Sequence, residues 1–180
     1  MLLHLQDGKK KRSFCEDASG KSHIDIQRTS TFMCLPHRGN EHIRAIAGRA
    51  ADMLGFDSDY IEPMQLVNYV EGQHFGLHHD GGELDELTLT VKPAWPRRVA
   101  TVFVYLTSHD SVGSTVFPYL SSENCDTPLS VQPIARSALI FSNIHADGTP
   151  DHRTAHCAQV VPKPHCKMGI NLWVGDGGSL

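Results

Sequence analysis

Arg98-Val99-Ala100-Thr101-Val102-Phe103-Val104-Tyr105-Leu106 is apolar on both of its alternating faces, as a strand buried between two layers must be. Val99, Thr101, Phe103 and Tyr105 form one row, and Ala100, Val102, Val104 and Leu106 the other. Short runs of the same kind lie around it at Met64–Tyr69, Thr115–Phe117, Leu129–Gln132, Ala138–Phe141, Arg153–Val161 and Met168–Val174, separated by Pro, Gly, Asn and Asp. Upstream, Arg28-Thr29-Ser30-Thr31-Phe32-Met33 is also β-like. One segment is helical in pattern: Asn40 as cap, Ile43, Ile46, Ala47, Ala50, Met53 and Leu54 as an apolar stripe, and Gly55 as stop. The gaps Gly81–Pro96 and Ser108–Gly113 read as loops bordering an opening. Many short strands after one or two helices predict a mostly β fold with flanking helices, built on a double-sheet β-barrel or jelly-roll core.

With 180 residues and 40% hydrophobic content, the chain suits one domain with a sizeable core. Residues 1–22 are polar and aperiodic and read as a flexible N-terminal segment, leaving 23–180 as the domain. Lys9-Lys10-Lys11-Arg12 is a solvated charge run within that segment. A net charge of -4 gives no footprint for nucleic acid or for a polybasic membrane surface. The apolar run Met1–Leu5 is too short for a signal peptide or a span. That favours the cytoplasm, whereas a domain cut from a longer secretory protein would belong to the endoplasmic reticulum. Cys15, Cys34, Cys125, Cys157 and Cys166 show no paired spacing and read as reduced thiols, with one disulfide left open. Oligomeric state is not legible, and a monomer is the working expectation.

His78-His79-Asp80 carries the chemistry. On a strand, alternate residues share a side, so His78 and Asp80 converge while His79 points away. A third histidine, His156, completes a two-histidine, one-carboxylate set of the kind that holds iron(II) on one face and leaves the other open. His145 and His152 are rivals for that place. His156 is preferred because it lies in a hydrophobic strand pattern five residues after Asp151. His74, His79, His109 and His165 read as surface or loop residues.

The stretch Glu62-Pro63-Met64-Gln65-Leu66-Val67-Asn68-Tyr69-Val70-Glu71-Gly72-Gln73-His74-Phe75-Gly76-Leu77-His78-His79-Asp80 resembles the iron(II)- and 2-oxoglutarate-dependent prolyl 4-hydroxylases. Their pattern is Tyr-x-x-Gly-x-x-(Phe/Tyr)-x-x-His-x-Asp. The likeness begins upstream at Arg28-Thr29-Ser30. It continues through Arg98–Leu106, Gly113-Ser114-Thr115-Val116-Phe117-Pro118, Val131-Gln132-Pro133 and Ala138–Asn143. It closes with Asp151, His156, Lys167 and, six residues later, Trp173, so that it spans roughly residues 28 to 175. The resemblance implies a double-stranded β-helix of cupin-like type. It also implies His78, Asp80 and His156 as metal ligands, Fe(II) as the metal, 2-oxoglutarate and O2 as cosubstrates, and ascorbate as the reductant that rescues oxidised iron. Peptidyl proline would become 4-hydroxyproline, as in procollagen-proline 4-dioxygenases, with release of succinate and CO2.

By the same resemblance Lys167 pairs with the distal carboxylate of 2-oxoglutarate, and Tyr69 and Thr115 line the cosubstrate pocket. A buried ammonium is costly unless paired, which suits a lysine awaiting a carboxylate ligand. Arg98, Tyr105 and Trp173 are candidates for the substrate groove. Arg98 equally suits solvent, and Trp173 and Phe117 suit the core better than a substrate contact. Three positions depart from the family: Val112 and Arg136 replace glycines, and the His156–Lys167 interval is one residue longer, through Pro164-His165-Cys166. A bulge or longer hairpin would absorb that residue and keep Lys167 in register. The rival readings are the same chemistry on another side chain or a small molecule, a zinc-dependent hydrolase on the same ligands, and a non-catalytic binding domain.

Overall fold

The two rows of the central strand face different layers. In the computed structural model, residues 27–177 are described except 38, 111, 123 and 124, together with the backbone at 11–12, 14–16 and 22–24. In chain order the elements are β1 (Lys11–Arg12), β2 (Phe14–Glu16), β3 (Ser22–Ile24), β4 (Thr31–Leu35), α1 (Glu41–Leu54), β5 (Met64–Tyr69), β6 (Phe75–His78) and β7 (Gly82–Asp85). They continue with β8 (Thr90–Pro93), β9 (Arg98–Tyr105), β10 (Thr115–Ser122), β11 (Cys125–Val131), β12 (Ala138–Ser142), β13 (His156–Ala158) and β14 (Lys167–Gly175). A six-stranded sheet has the order β1-β4-β5-β14-β9-β12 and a four-stranded sheet the order β11-β10-β13-β6. Together they form the expected two-sheet, jelly-roll architecture.

Even-numbered residues of β9 and β14 (Ala100, Val102, Leu172, Val174) pack with Met33, Leu35 and Met64 beneath Ile43, Ala47, Ala50 and Ala51 of α1. Odd-numbered residues (Thr101, Phe103, Lys167, Asn171, Trp173) line a cavity between the sheets. A strand that must serve both a helix and a cavity is apolar on both sides, which is the pattern seen in the sequence.

Asn40 caps α1 by accepting from the backbone of His42 and Ile43, and Gly55 ends it in the left-handed region at φ 73°. The stripe is narrower than expected. Ile46 and Met53 are 38% and 58% exposed, while Ala51 is buried. The helix approaches the sheet on its small residues, which turns its larger flank to water.

Several expected boundaries move. Gly81–Pro96 is not a plain loop but contains the β7–β8 hairpin, whose turn is closed by Asp85 accepting from the backbone of Leu87 and Thr88. The expected strand Arg153–Val161 begins as a 3-10 turn at His152–Thr154. The Asp151 carboxylate takes the Arg153 backbone N–H and both arms of its guanidinium there, and only His156–Ala158 is strand. Leu106 falls outside β9. β10 and β11 run well beyond Thr115–Phe117 and Leu129–Gln132 despite Pro118 and Pro128. Pro128 pairs with Ser121 where the β10–β11 register shifts, an irregular stretch in which a missing N–H is tolerated. The expected flexible segment 1–22 lies largely outside the described residues; of its described backbone, Lys11–Arg12 pairs with β4 and Phe14–Glu16 pairs with β3. Among the described side chains Cys34, Cys157 and Cys166 are free thiols. No helix among the described residues is long and apolar enough to cross a membrane.

Arg136, at the position of the missing glycine, sits at φ 73° in the turn before β12, where its N–H donates to Tyr105 O. A left-handed conformation costs a non-glycine residue about 1–2 kcal/mol, and glycine recovers this less its own entropy of about 0.5–1 kcal/mol. Arg136→Gly is therefore expected to raise stability by about 0.5–1 kcal/mol, read as a higher urea midpoint. An unchanged or lower midpoint contradicts the assignment of strain to this turn.

Candidate active site

The register of β6 against β13 sets His156 directly opposite His78, so two imidazoles meet across one pair of strands. Their ring centroids are 4.3 Å apart. Asp80 follows β6 by two residues and falls on the same side. His78 Nε2 lies 3.5 Å from Asp80 Oδ1, and His156 Nε2 lies 4.0 Å from Asp80 Oδ2. One ligand atom from each residue lies within 4.8 Å of the others.

Backbone carbonyls settle which ring nitrogens are free. His78 Nδ1 is 2.9 Å from Gly76 O and His156 Nδ1 is 3.0 Å from Thr154 O. A carbonyl only accepts, so both Nδ1 atoms carry the proton and both Nε2 lone pairs turn toward Asp80. Phe75 stacks on His78 at 3.6 Å, and Phe117 and Phe141 border His156. Burial, then repulsion from His78, lowers the His156 pKa to about 4, which keeps its imidazole neutral at ordinary pH. Burial alone would raise the Asp80 carboxyl. Positive charge at the Nε2 positions of His156 and His78, which a bound cation would supply, and the Thr101 hydroxyl outweigh it and hold the group well below the usual carboxylate range. Thr101 Oγ1 donates to Asp80 Oδ2 at 2.8 Å and accepts from Asn143 Nδ2 at 3.0 Å. Two imidazoles with Nε2 turned inward and one carboxylate, each oriented from behind, fit iron(II) in a facial set.

A cavity of about 460 Å³, open solvent at its mouth included, encloses these groups. Lys167 lines the same cavity. β14 pairs with β5 so that Lys167 faces Tyr69, and the longer interval before it is taken up ahead of the strand. Its side chain is 1% exposed, and no salt bridge to it occurs among the described residues. Tyr69, Phe103 and Tyr105 present rings 5.6, 5.7 and 5.7 Å from Nζ. Gly169 makes this possible, since a Cβ there would lie 2.2 Å from the Phe103 ring. Burial lowers the Lys167 pKa to about 8. Thr115 Oγ1 accepts from Lys167 Nζ at 3.3 Å and from the Tyr105 hydroxyl at 2.9 Å. With both lone pairs used, its own hydrogen is left to donate. An ammonium and a hydroxyl donor together suit a carboxylate.

The structure thus brings His78, Asp80, His156, Lys167, Tyr69, Thr115 and Trp173 to one cavity. It does not bring Arg98 or Tyr105 to its wall. Arg98 forms a two-armed pair with Glu62 at 2.8 and 2.9 Å and lies 3.7 Å over the Trp173 ring. Tyr105 stands behind Thr115. Burial raises the Tyr69 phenol, partly offset by the Arg28 charge and the Ser30 hydroxyl. Thr101, Asn143, Phe75, Phe141 and Asn171 also stand at the site without having been assigned to it from sequence, although Phe75 occupies the aromatic position of the motif and Thr101 lies on the same row as Phe103 and Tyr105. Sequence reasoning misplaced His79, which is a buried residue and not a loop histidine, because a ring pointing away from the cavity enters a second, dry contact.

The sequence profile of the 2OG-Fe(II) oxygenase superfamily matches residues 64–175. Among curated proteins, the chain is 28% identical over 173 residues to probable prolyl 4-hydroxylase 11 of Arabidopsis thaliana, covering 96% of this chain and 56% of that protein. It is 30% identical over 166 residues to human prolyl 4-hydroxylase subunit alpha-3, covering 89% of this chain and 28% of that one. The chain spans about half the length of the plant relatives it matches. Among solved structures, the 2OG complex of the viral collagen prolyl hydroxylase from Paramecium Bursaria Chlorella virus-1 superposes with a TM-score of 0.67 at 23% identity, covering 84% of this chain and 81% of that one. That likeness carries the fold, and the profile match covers the triad and Lys167 alike. The chain belongs to the 2OG-Fe(II) oxygenase superfamily.

Proposed function

We propose that this chain is a 2-oxoglutarate- and Fe(II)-dependent dioxygenase that hydroxylates peptidyl proline to 4-hydroxyproline, releasing succinate and CO2. One observation carries the reading: a buried ammonium with an aligned hydroxyl donor shares a cavity with a two-histidine, one-carboxylate set. His78, Asp80 and His156 would hold the metal. When bound, iron(II) supplies the oxidising chemistry by activating O2 at the expense of 2-oxoglutarate. Lys167 and Thr115 bind the distal carboxylate and so fix which end of the cosubstrate faces the triad. Phe75, Phe103 and Phe141 exclude water around the reacting groups. Ascorbate is the reductant proposed to restore iron(II) between cycles.

The proline substrate is supported by relatives named as prolyl 4-hydroxylases and by the aromatic wall of Phe141 and Trp173. A proline-rich peptide already held in polyproline II loses little entropy on entering such a groove. A zinc hydrolase would use the same three ligands and an open position for water, but it has no use for a buried ammonium at Lys167. The test is turnover of 2-oxoglutarate with a proline-rich peptide, with the peptide mass followed for the gain of one oxygen. Succinate formed in step with oxygenated proline is the expected result. Succinate formed only with another side chain or a small molecule keeps the enzyme class and overturns the substrate. No binding of 2-oxoglutarate to the iron-loaded protein overturns both.

A further inference from the structure

His79 stands between two proposed ligands, yet its ring leaves the cavity and is 5% exposed. The Gly81 N–H donates to His79 Nδ1 at 3.1 Å, so that nitrogen is unprotonated. The proton is on Nε2, which donates to Asp151 O at 3.1 Å, with Thr154 Oγ1 also 3.2 Å away. Asp151 O accepts in addition from Thr154 N and Oγ1 at 3.0 and 2.9 Å, closing the 3-10 turn that leads into β13. The next carbonyl that matters is Thr154 O, which takes the Nδ1 proton of His156 and aims its Nε2.

β6 ends at His78, so the strand ladder holds His78 and His156 but not Asp80, which sits in the turn beyond. Thr101 holds the Asp80 carboxylate, Ala94 N–H donates to Gly81 O and Gly82 N–H to His79 O; the further tie, out to the Asp151–Thr154 segment, is the His79 ring. It spans 72 residues of sequence to reach the segment that orients the third ligand. We infer that His79 is a positioning residue: its neutral ring is a strut that locks the His78–Asp80 turn to the Asp151–Thr154 turn and so sets the mutual geometry of all three metal ligands. The inference rests on the metal reading of His78, Asp80 and His156. Partners of this kind behind metal ligands are worth about 10–100-fold in metal affinity.

The experiment is anaerobic Fe(II) titration against a competing chelator on folded, metal-free protein, with thermal unfolding of the same samples. His79→Ala removes both contacts, His79→Asn keeps an acceptor for Gly81 but falls short of Asp151, and His79→Gln keeps a donor that reaches Asp151 O. Expected affinities are about 10–100-fold weaker for Ala and Asn, with Gln restored to within about threefold of wild type. Wild-type affinity in folded Ala or Asn variants overturns the strut, as does a Gln variant no better than Ala. Equal loss of melting temperature in all three at unchanged affinity marks a packing role and likewise overturns it. If the Ala variant does not fold, Asn against Gln decides. His78→Ala runs in parallel: if it binds Fe(II) as wild type does, the metal reading itself has failed, whatever the His79 variants do.

Discussion

Asp80→Asn is expected to weaken Fe(II) binding at least about 100-fold and to abolish turnover, a larger loss than partners behind the ligands account for. The change is isosteric, so the reason lies in hydrogen-bond polarity. Asn143 already donates to Thr101 Oγ1, so the Thr101 hydrogen must go to an acceptor. In the variant the amide oxygen takes that hydrogen, and the NH2 group turns to the position from which Asp80 would bind metal. An amide nitrogen carrying two hydrogens has no lone pair to offer there, and the only anionic ligand is gone. Anaerobic titration with Fe(II), or with Mn(II) followed by its magnetic resonance signal, measures the loss. Affinity close to wild type would mean that the metal is held elsewhere.

Lys167→Met separates binding from stability, because the two should move in opposite directions. Removing one partner of a buried, hydrogen-bonded charge pair costs about 3–5 kcal/mol, so 2-oxoglutarate affinity should fall about 100-fold or more. The free protein should gain stability, because the ammonium is buried beside aromatic rings with no carboxylate paired to it among the described residues. Its pKa falls from 10.5 in the unfolded chain to about 8, equivalent to roughly 3 kcal/mol at pH 7. Between those values the folded protein binds fewer protons than the unfolded one, so wild-type stability rises with pH from about 8 to 10.5. The stability gap between variant and wild type should close over that window. Binding a carboxylate raises the lysine pKa again, so ligand binding takes up a proton above pH 8. Wild-type affinity should then fall by up to about tenfold per pH unit there, while the variant stays flat. Calorimetry at pH 7 and 9 with parallel melting curves checks each part. A variant that binds 2-oxoglutarate as wild type does removes Lys167 from the cosubstrate site.

Much of this was legible from residue order because it depends on local periodicity. The doubly apolar row from Arg98 to Tyr105 marked a strand with two buried faces, and the Asn40 and Gly55 pair bounded a helix. Spacing alone put His78 and Asp80 on one side. Other features needed partners distant in sequence. Nothing near Thr101 shows that its hydroxyl meets Asp80 or that Asn143 sits behind it. Arg98 offered two readings, and neither names its tie to Glu62 and Trp173. The hairpin hidden between Gly81 and Pro96 rests on a side-chain turn at Asp85, which carries no hydrophobic alternation. The strand expected from Arg153 gives way to a turn because one carboxylate, Asp151, satisfies both a backbone N–H and a guanidinium.

By itself the sequence determined the mostly β fold class and the pairing of His78 with Asp80, since both follow from a fixed period; His156 and Lys167 were placed by their match to the prolyl 4-hydroxylase pattern. Tertiary structure decided how those groups act together. The β6–β13 register brings His156 against His78, the β5–β14 register turns Lys167 into the same cavity, and carbonyls at Gly76 and Thr154 choose the ligating nitrogens. His79 shows the division most plainly. Strand alternation says only that it points away from its neighbours; what it points into is set by a turn 72 residues downstream, and only the packed chain brings the two together.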